Sequence, residues 1–290
     1  MTTSKNNDNY KLIIGRHCPF KAPNYLLGAV KEALSYGSNA VMIYLGAPQN
    51  TRRRPLTELK IPEFRQILAE NNIDIDNVIV HGPYVVNLAN PARAEIFHWS
   101  TEFLKKEVAR MEAIGLKTLI LHPGSAVDAP INEALSQVAK GINLVLQSSS
   151  QVRVVLETMC GRGSEVGVNF EQLKYIIDRV EQKGRVGICW DTCHLYTAGY
   201  DIKDNLEAVI KEFDQKIGLE KLWVIHINDS AQELGAKVDR HENIGYGNIG
   251  LKALKKIVWH PKLNGIPKIL ETPRRREDFV EEIKILKEKN

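Results

Sequence analysis

The chain predicts an α/β fold: a single (β/α)8 TIM barrel with long loops at the C-terminal ends of its strands. Three observations carry that expectation. Eight short apolar runs recur along the 290 residues, at 11–16, 40–45, 77–81, 118–122, 153–157, 186–191, 222–227 and 267–271. Segments of helical periodicity fill the gaps between them. The runs are apolar throughout rather than alternating, as in parallel strands buried on both faces. At or beside the ends of runs three to eight stand residues 81, 122, 157, 191, 226 and 271, 34 to 45 residues apart. A strand, a helix and their two loops fit that spacing, because a βαβ unit takes roughly 30 residues or more. Eight such units close into a barrel.

In chain order, strand 11–16 precedes a helix over 24–36, which Gly37 closes. Strand 40–45 leads through the loop 46–57 to a helix over 58–70, with Thr57 as its N-cap. Strand 77–81, loop 82–92 and helix 93–114 follow, closed by Gly115. Strand 118–122 feeds a helix over 131–147. Strand 153–157 and loop 158–168 precede a helix over 169–183, opened by Asn169 and closed by Gly184. Asn and Thr accept hydrogen bonds from the first free N–H groups of a helix, and Gly adopts the left-handed C-cap without strain. Strand 186–191 precedes a helix over 203–217, ended by Gly218; strand 222–227, loop 228–249 and helix 250–258 form the seventh unit. Strand 267–271 and helix 275–288 complete the eighth. Residues 1–10 are polar and read as a frayed N-terminus before one barrel domain over 11–290.

Hydrophobic content of 43% and charged content of 26% are ordinary for a globular chain. No apolar run is long enough to span a bilayer, the N-terminal residues lack a signal-peptide core, and a cytoplasmic, membrane-free protein is expected. Cys18, Cys160, Cys189 and Cys193 form no CxxC pair and read as small buried side chains, not disulfides. A net charge of +4 and a pI of about 8.7 are too weak to argue for nucleic acid by themselves. Two arginine triplets say more, since 52–54 and 274–276 follow strands two and eight and would stand on the mouth of the barrel, where phosphates could be neutralised.

The chemistry lies at the strand ends. His81, His122, Glu157, Asp191, His226 and Glu271 each finish an apolar run, and such ends converge on one mouth. His194 follows three residues after Asp191, and Asp239 and His241 sit at i and i+2 in the loop 228–249, projecting to one side of an extended segment. A lone buried His or Glu is usually a satisfied core residue. Six at equivalent strand ends are not, because unpaired charges packed together would be costly. Imidazole and carboxylate donors without thiolates suit zinc, manganese or iron. A mononuclear catalytic zinc takes about three protein ligands, so nine candidates point to three metals, one carboxylate bridging. Two or three ions held together clamp a phosphodiester.

The segments around these residues are His81-Gly82-Pro83-Tyr84, Leu121-His122-Pro123-Gly124-Ser125, Leu156-Glu157-Thr158 with Gly161-Arg162-Gly163-Ser164-Glu165, and Gly187-Ile188-Cys189-Trp190-Asp191-Thr192-Cys193-His194. Two more are His226-Ile227-Asn228-Asp229-Ser230 and Asp239-Arg240-His241-Glu242-Asn243-Ile244-Gly245-Tyr246-Gly247. In these motifs, their order and their spacing, the chain resembles the endonuclease IV family of apurinic/apyrimidinic endonucleases (AP endonuclease family 2), from Lys11 to the C-terminal helix. The resemblance implies three zinc ions, with Mn2+ or Fe2+ as possible substitutes. One is held by His81, His122 and Glu157, a second by Glu157, Asp191, His226 and Glu271, and a third by His194, Asp239 and His241. It implies hydrolysis of the phosphodiester 5′ to an abasic site in double-stranded DNA, leaving a 3′-hydroxyl and a 5′-deoxyribose phosphate, with 3′-repair phosphodiesterase activity beside it. Glu157 as the bridge and Glu271 as an orienter of water are the expected catalytic groups, in a monomer.

The family bends DNA, flips the abasic nucleotide out and fills the gap with side chains. Extruding a site without a base costs less unstacking. Tyr84 and Val85 match the inserting loop, Val85 being smaller than the leucine of some members. Asn50 or Arg52 occupies the second inserting region. Arg162 and Arg274 are further candidate DNA contacts, whereas Ala231 stands where a lysine is common. One alternative is a metal-dependent sugar isomerase or epimerase on a related barrel, which has no need of a third site built from His194, Asp239 and His241. Another is a non-catalytic binder of damaged DNA or a metal-storage protein.

Overall fold

In the computed structural model, residues 10–274 and 278–289 are described. Seven parallel strands come first: β1 (Ile14–His17), β2 (Ala40–Ile43), β3 (Val78–His81), β4 (Thr118–Leu121), β5 (Arg153–Glu157), β6 (Val186–Asp191) and β7 (Leu222–His226). A two-residue antiparallel ribbon follows, β8 (Asp229–Ser230) against β9 (His241–Glu242). The last strand, β10 (Lys268–Leu270), pairs with both β7 and β1 and closes the eight-stranded barrel. The predicted fold is therefore the observed one.

Side chains of a strand alternate between its faces, and the two faces bury different surfaces. Ile13, Ala40, Met42, Ile79, Ile120, Val155, Cys189, Val224 and Ile269 form one apolar cluster inside the barrel. The intervening residues, such as Val80, Leu119, Leu156, Ile188 and Leu270, join the larger cluster beneath the helices. Both faces are covered, so the strands read as unbroken apolar runs. Gly15 is required by the closure of the barrel: a Cβ there would stand 1.8 Å from the Ala40 carbonyl oxygen.

The helices are α1 (Tyr25–Ser35), α2 (Ile61–Glu70), α3 (Ala94–Ile114), α4 (Ile131–Gln147), α5 (Phe170–Asp178), α6 (Thr192–Ala198), α7 (Leu206–Lys216), α8 (Leu251–Val258) and α9 (Phe279–Lys287). Asn169 caps α5 as expected, accepting from the Gln172 N–H at 2.9 Å, and Gly115 closes α3 at φ +97°. Thr57 is not a cap. It lies in the 3-10 turn Leu56–Glu58, and α2 begins after Lys60, with a proline in its first turn. The fifth helix is shorter than expected: Val180 turns back with its N–H on the Ile177 carbonyl and is buried, leaving Gly184 in the separate turn Lys183–Arg185. The expectation for 275–288 falls partly on 275–277, outside the described residues, as do residues 1–9 of the polar N-terminus. Tyr10 is docked, its hydroxyl donating to the Val258 carbonyl at 2.6 Å and its ring 5.2 Å from that of Trp259. Among the described residues no helix is long and apolar enough to cross a membrane.

Candidate metal centre

The centre is the next inward layer above the apolar cluster. Two residues beyond Ile79, Ile120, Val155, Cys189, Val224 and Ile269 come His81, His122, Glu157, Asp191, His226 and Glu271. Strand periodicity thus turns all six toward the barrel axis. His194 arrives by another route, in the first turn of α6. Asp191 is the N-cap of that helix, its Oδ1 accepting from the His194 N–H at 2.8 Å. Asp239 and His241 are delivered by the loop between β8 and β9 and by β9 itself.

Glu157 is the hub. Its Oε2 lies 3.0 Å from His81 Nε2 and 3.1 Å from His122 Nε2, while Oε1 lies 3.2 Å from His226 Nδ1 and 3.3 Å from His194 Nδ1. Glu271 reaches His226 Nδ1 at 3.0 Å, and Asp239 stands 3.2 Å from His194 Nε2 and 3.3 Å from His241 Nε2. All nine sequence candidates assemble. Their donor atoms fall into three groups, each within 4.8 Å: His81, His122 and Glu157; Glu157, Asp191, His226 and Glu271; His194, Asp239 and His241. These are the three sets that the resemblance implied. A fourth grouping, Asp191, Cys193 and His241, brings a buried thiol within the same reach, a neighbour whose sequence context announces only packing.

The surrounding hydrogen bonds hold these donors in place. Nδ1 of His81, His194 and His241 donates to the carbonyls of Gly82 (2.7 Å), Thr158 (2.9 Å) and Glu271 (3.3 Å), which presents each Nε2 to the centre. Asn228 donates to Asp191 Oδ2 at 2.6 Å and accepts from the Glu271 N–H at 2.8 Å. Thr158 Oγ1 accepts from the Asp191 N–H at 2.9 Å.

Two features test whether a metal suits these residues. First, the Nε2 atoms of His194 and His241 are buried without a hydrogen bond, although Asp239 is close to both. Donor atoms this close, with no hydrogen bond between them, suit a shared cation. Second, burial pushes the Glu157 carboxyl up, yet His226, His122 and His194 hold it well below the usual carboxylate range. Burial likewise opposes the charged forms of His194 and His226, but Asp191, Asp239 and Glu157 around the first, and Cys189, Glu271 and Glu157 around the second, raise both well above the ordinary imidazole value. Carboxylates that stabilise a proton on an imidazole stabilise a dication in its place, with release of the proton. The donor set of imidazoles and carboxylates fits zinc, and the three overlapping groups match a trinuclear zinc arrangement.

The candidate DNA contacts are all on loops at the mouth end. Tyr84 is 58% exposed after β3, with Val85 half-buried beside it. Asn50, Arg52, Arg162 and Arg274 are exposed. The first arginine triplet is not uniform, because Arg53 is withdrawn from the surface. Its Nε donates to Glu107 of α3 at 2.8 Å, and its NH1 donates to the Asn50 and Arg52 carbonyls at 3.1 and 3.0 Å. Of the second triplet, Arg275 and Arg276 lie outside the described residues. Two members of the inward layer were missed altogether. His17 at the end of β1 and Tyr44 just past β2 stand two residues beyond Gly15 and Met42, with ring centroids 5.1 Å apart, and Tyr44 lies 5.1 Å from His81. The same period of two would have found them.

The family model described as xylose isomerase-like TIM barrel matches residues 30–289. A probable endonuclease 4 of Pediococcus pentosaceus is 48% identical over 262 residues, 90% of this chain and 88% of the relative. That of Geobacillus kaustophilus is 48% identical over 267 residues, 92% of this chain and 89% of the relative. Among solved structures, endonuclease IV from Thermus thermophilus superposes with a TM-score of 0.83 at 29% identity, covering 94% of this chain and 97% of the other. A D-tagatose 3-epimerase-like protein, at a TM-score of 0.69 and 17% identity over 94% of this chain and 96% of its own, shares the fold alone. The chain belongs to the endonuclease IV family, among the xylose isomerase-like TIM barrels.

Proposed function

We propose that this chain is a zinc-dependent apurinic/apyrimidinic endonuclease, cutting the phosphodiester 5′ to an abasic site in double-stranded DNA to leave a 3′-hydroxyl and a 5′-deoxyribose phosphate. The observation that carries this reading is the set of three ligand groups linked through Glu157 and crowded onto one barrel mouth. A single-metal sugar epimerase has no use for the third group.

When bound, zinc supplies Lewis acidity, lowering the pKa of water and neutralising charge on the phosphate. The protein supplies the rest. Glu157 splits its two oxygens between the His81–His122 side and the His226–His194 side, which keeps neighbouring groups at bridging range. His81, Glu157, Asp191, His194 and His226 are buried, whereas His122, His241, Glu271 and Asp239 have side chains 29%, 18%, 17% and 42% exposed. A phosphate therefore approaches over that second set. Glu271, whose burial is outweighed by His226 beside it, stays ionised and reaches this open side, where its carboxylate orients the attacking water. Tyr84 and Val85 enter the helix at the lesion, and Arg52, Arg162 and Arg274 hold the flanking phosphates. The protein acts as a monomer in the cytoplasm, an environment in keeping with four free thiols.

The test is incision of an end-labelled duplex carrying one tetrahydrofuran abasic analogue, comparing EDTA-stripped with zinc-reconstituted protein. The analogue cannot undergo β-elimination, so any cut is hydrolytic. A single zinc-dependent cut 5′ to the lesion with a 3′-hydroxyl end is expected. Folded, zinc-loaded protein that leaves the duplex intact would refute the proposal.

A further inference from the structure

The mouth layer has eight positions, one per barrel strand, and the three ligand groups use only six of them. The remaining two, His17 and Tyr44, are adjacent, because β1 pairs with β2 in parallel register. They form a sector of the mouth without metal ligands. Its contents are not filler. Tyr44 is only half-buried, in contact with the ring of His81 on one side and, edge-on at 75°, with that of His17 on the other. Its hydroxyl makes no hydrogen bond with the described residues, whereas the buried polar groups around the ligands (Thr158, Thr192 and Asn228) are all paired. A half-buried phenol held between two rings, with its hydroxyl unpaired at the edge of the ligand groups, is available to something that arrives from outside.

The position of the sector indicates what arrives. β2 leads through Tyr44 directly into the loop 46–57, and β3 leads through His81 into the loop that bears Tyr84 and Val85. Tyr44 therefore stands at the base of one of the two loops that the endonuclease reading places at the lesion, in ring contact with His81 at the base of the other, with His17 on its far side. A nucleotide displaced into the mouth there brings its phosphate to the ligand groups and its sugar to the neighbouring sector. Phosphate oxygens need cations. A deoxyribose, with ring and hydroxyl oxygens and no charge, needs a neutral donor and a ring surface.

The geometry points to Tyr44 as a substrate-contacting residue that donates its hydroxyl to the deoxyribose of the abasic nucleotide, with His17 holding the Tyr44 ring in position. This inference rests on the endonuclease reading above.

The test is Tyr44→Phe in the full chain, zinc-loaded, assayed on the abasic duplex, with zinc content and inhibition by inorganic phosphate measured in parallel. Phosphate is the probe because it engages the metal centre and has no sugar. Loss of one neutral hydrogen bond is expected to lower kcat/KM about five- to tenfold, with three zinc ions retained and phosphate inhibition unchanged. His17→Ala should give a smaller loss in the same direction, and the double variant should lose less than the product of the single effects, as residues that act through one another do. Activity of Tyr44→Phe within twofold of the parent would overturn the inference, as would a loss accompanied by changed zinc content or changed phosphate inhibition. If the parent protein itself, zinc-loaded, leaves the duplex uncut, the endonuclease reading falls first.

Discussion

Asn228 ties together ligands from two strands with one side chain. It lies just past β7, between β6, which carries Asp191, and β10, which leads to Glu271. In Asn228→Ala, the buried Asp191 Oδ2 loses a donor at 2.6 Å and the partly buried Glu271 N–H loses an acceptor at 2.8 Å. A buried polar group left unpaired costs about 1–3 kcal/mol, so two such losses amount to at most roughly 2–6 kcal/mol of stability in the metal-free protein. Metal affinity should fall as well, since removing a partner that orients a ligand typically costs 10–100-fold. Urea unfolding of the EDTA-treated protein measures the first effect, and competition against a chromophoric zinc chelator measures the second. The reasoning fails if stability drops while zinc affinity stays within twofold of the parent, because Asn228 would then support the fold without orienting the ligands.

Arg53→Met should cost about 3–5 kcal/mol by stranding the buried Glu107, and the Arg53→Met/Glu107→Met double variant should recover most of that; losses that simply add in urea titrations would show that the ion pair is not what matters. Asp229 accepts from the backbone N–H groups of Ser230 (2.9 Å), Gly245 (3.0 Å), Ile249 (3.0 Å) and Gly250 (3.1 Å), fixing the ribbon that carries His241. Asp229→Ala is expected to retain two zinc ions and lose the third, as counted by native mass spectrometry, and retention of all three would refute that role. Lys268 is fully buried with its ammonium on the Leu263 carbonyl at 2.5 Å, and burial lowers its pKa from 10.5 to about 7. Between these values the unfolded chain binds more protons than the folded one, so this contribution to stability is most unfavourable below pH 7 and improves as pH rises to 10.5. Lys268→Met should therefore stabilise the protein by a few kcal/mol below about pH 7, with a gain that shrinks toward about pH 10; a pH-independent gain would refute the account.

The barrel was legible because a two-sided parallel strand leaves an unmistakable run such as Val78–His81 or Leu222–His226, and the ligands were legible because each run ended in one. What was hidden depended on distance or on absent periodicity. Arg53 reads locally as one of three surface arginines, and nothing nearby announces that its partner is Glu107, 54 residues away. The ribbon of β8 and β9 has two residues per strand, too few to alternate. The short helix α6 starts on Asp191, whose side chain both caps the helix and serves the centre, so the ligand pattern masks the cap. Tyr44 and His17 stay hidden because neither visibly ends an apolar run: Tyr44 sits inside 40–45, before Leu45, and His17 falls one residue past 11–16.

The centre draws its ligands from residues spread between 81 and 271, six of them from the ends of six different barrel strands, and the last directly follows the strand that closes the ring. No contiguous stretch of this chain holds a complete set of three groups. A ribosome extending the polypeptide produces the donors in sequence, most of them tens of residues apart, and the final carboxylate emerges only with the closing strand. The second group is thus complete only with the closing strand, and any product that stops short of Glu271 lacks part of it.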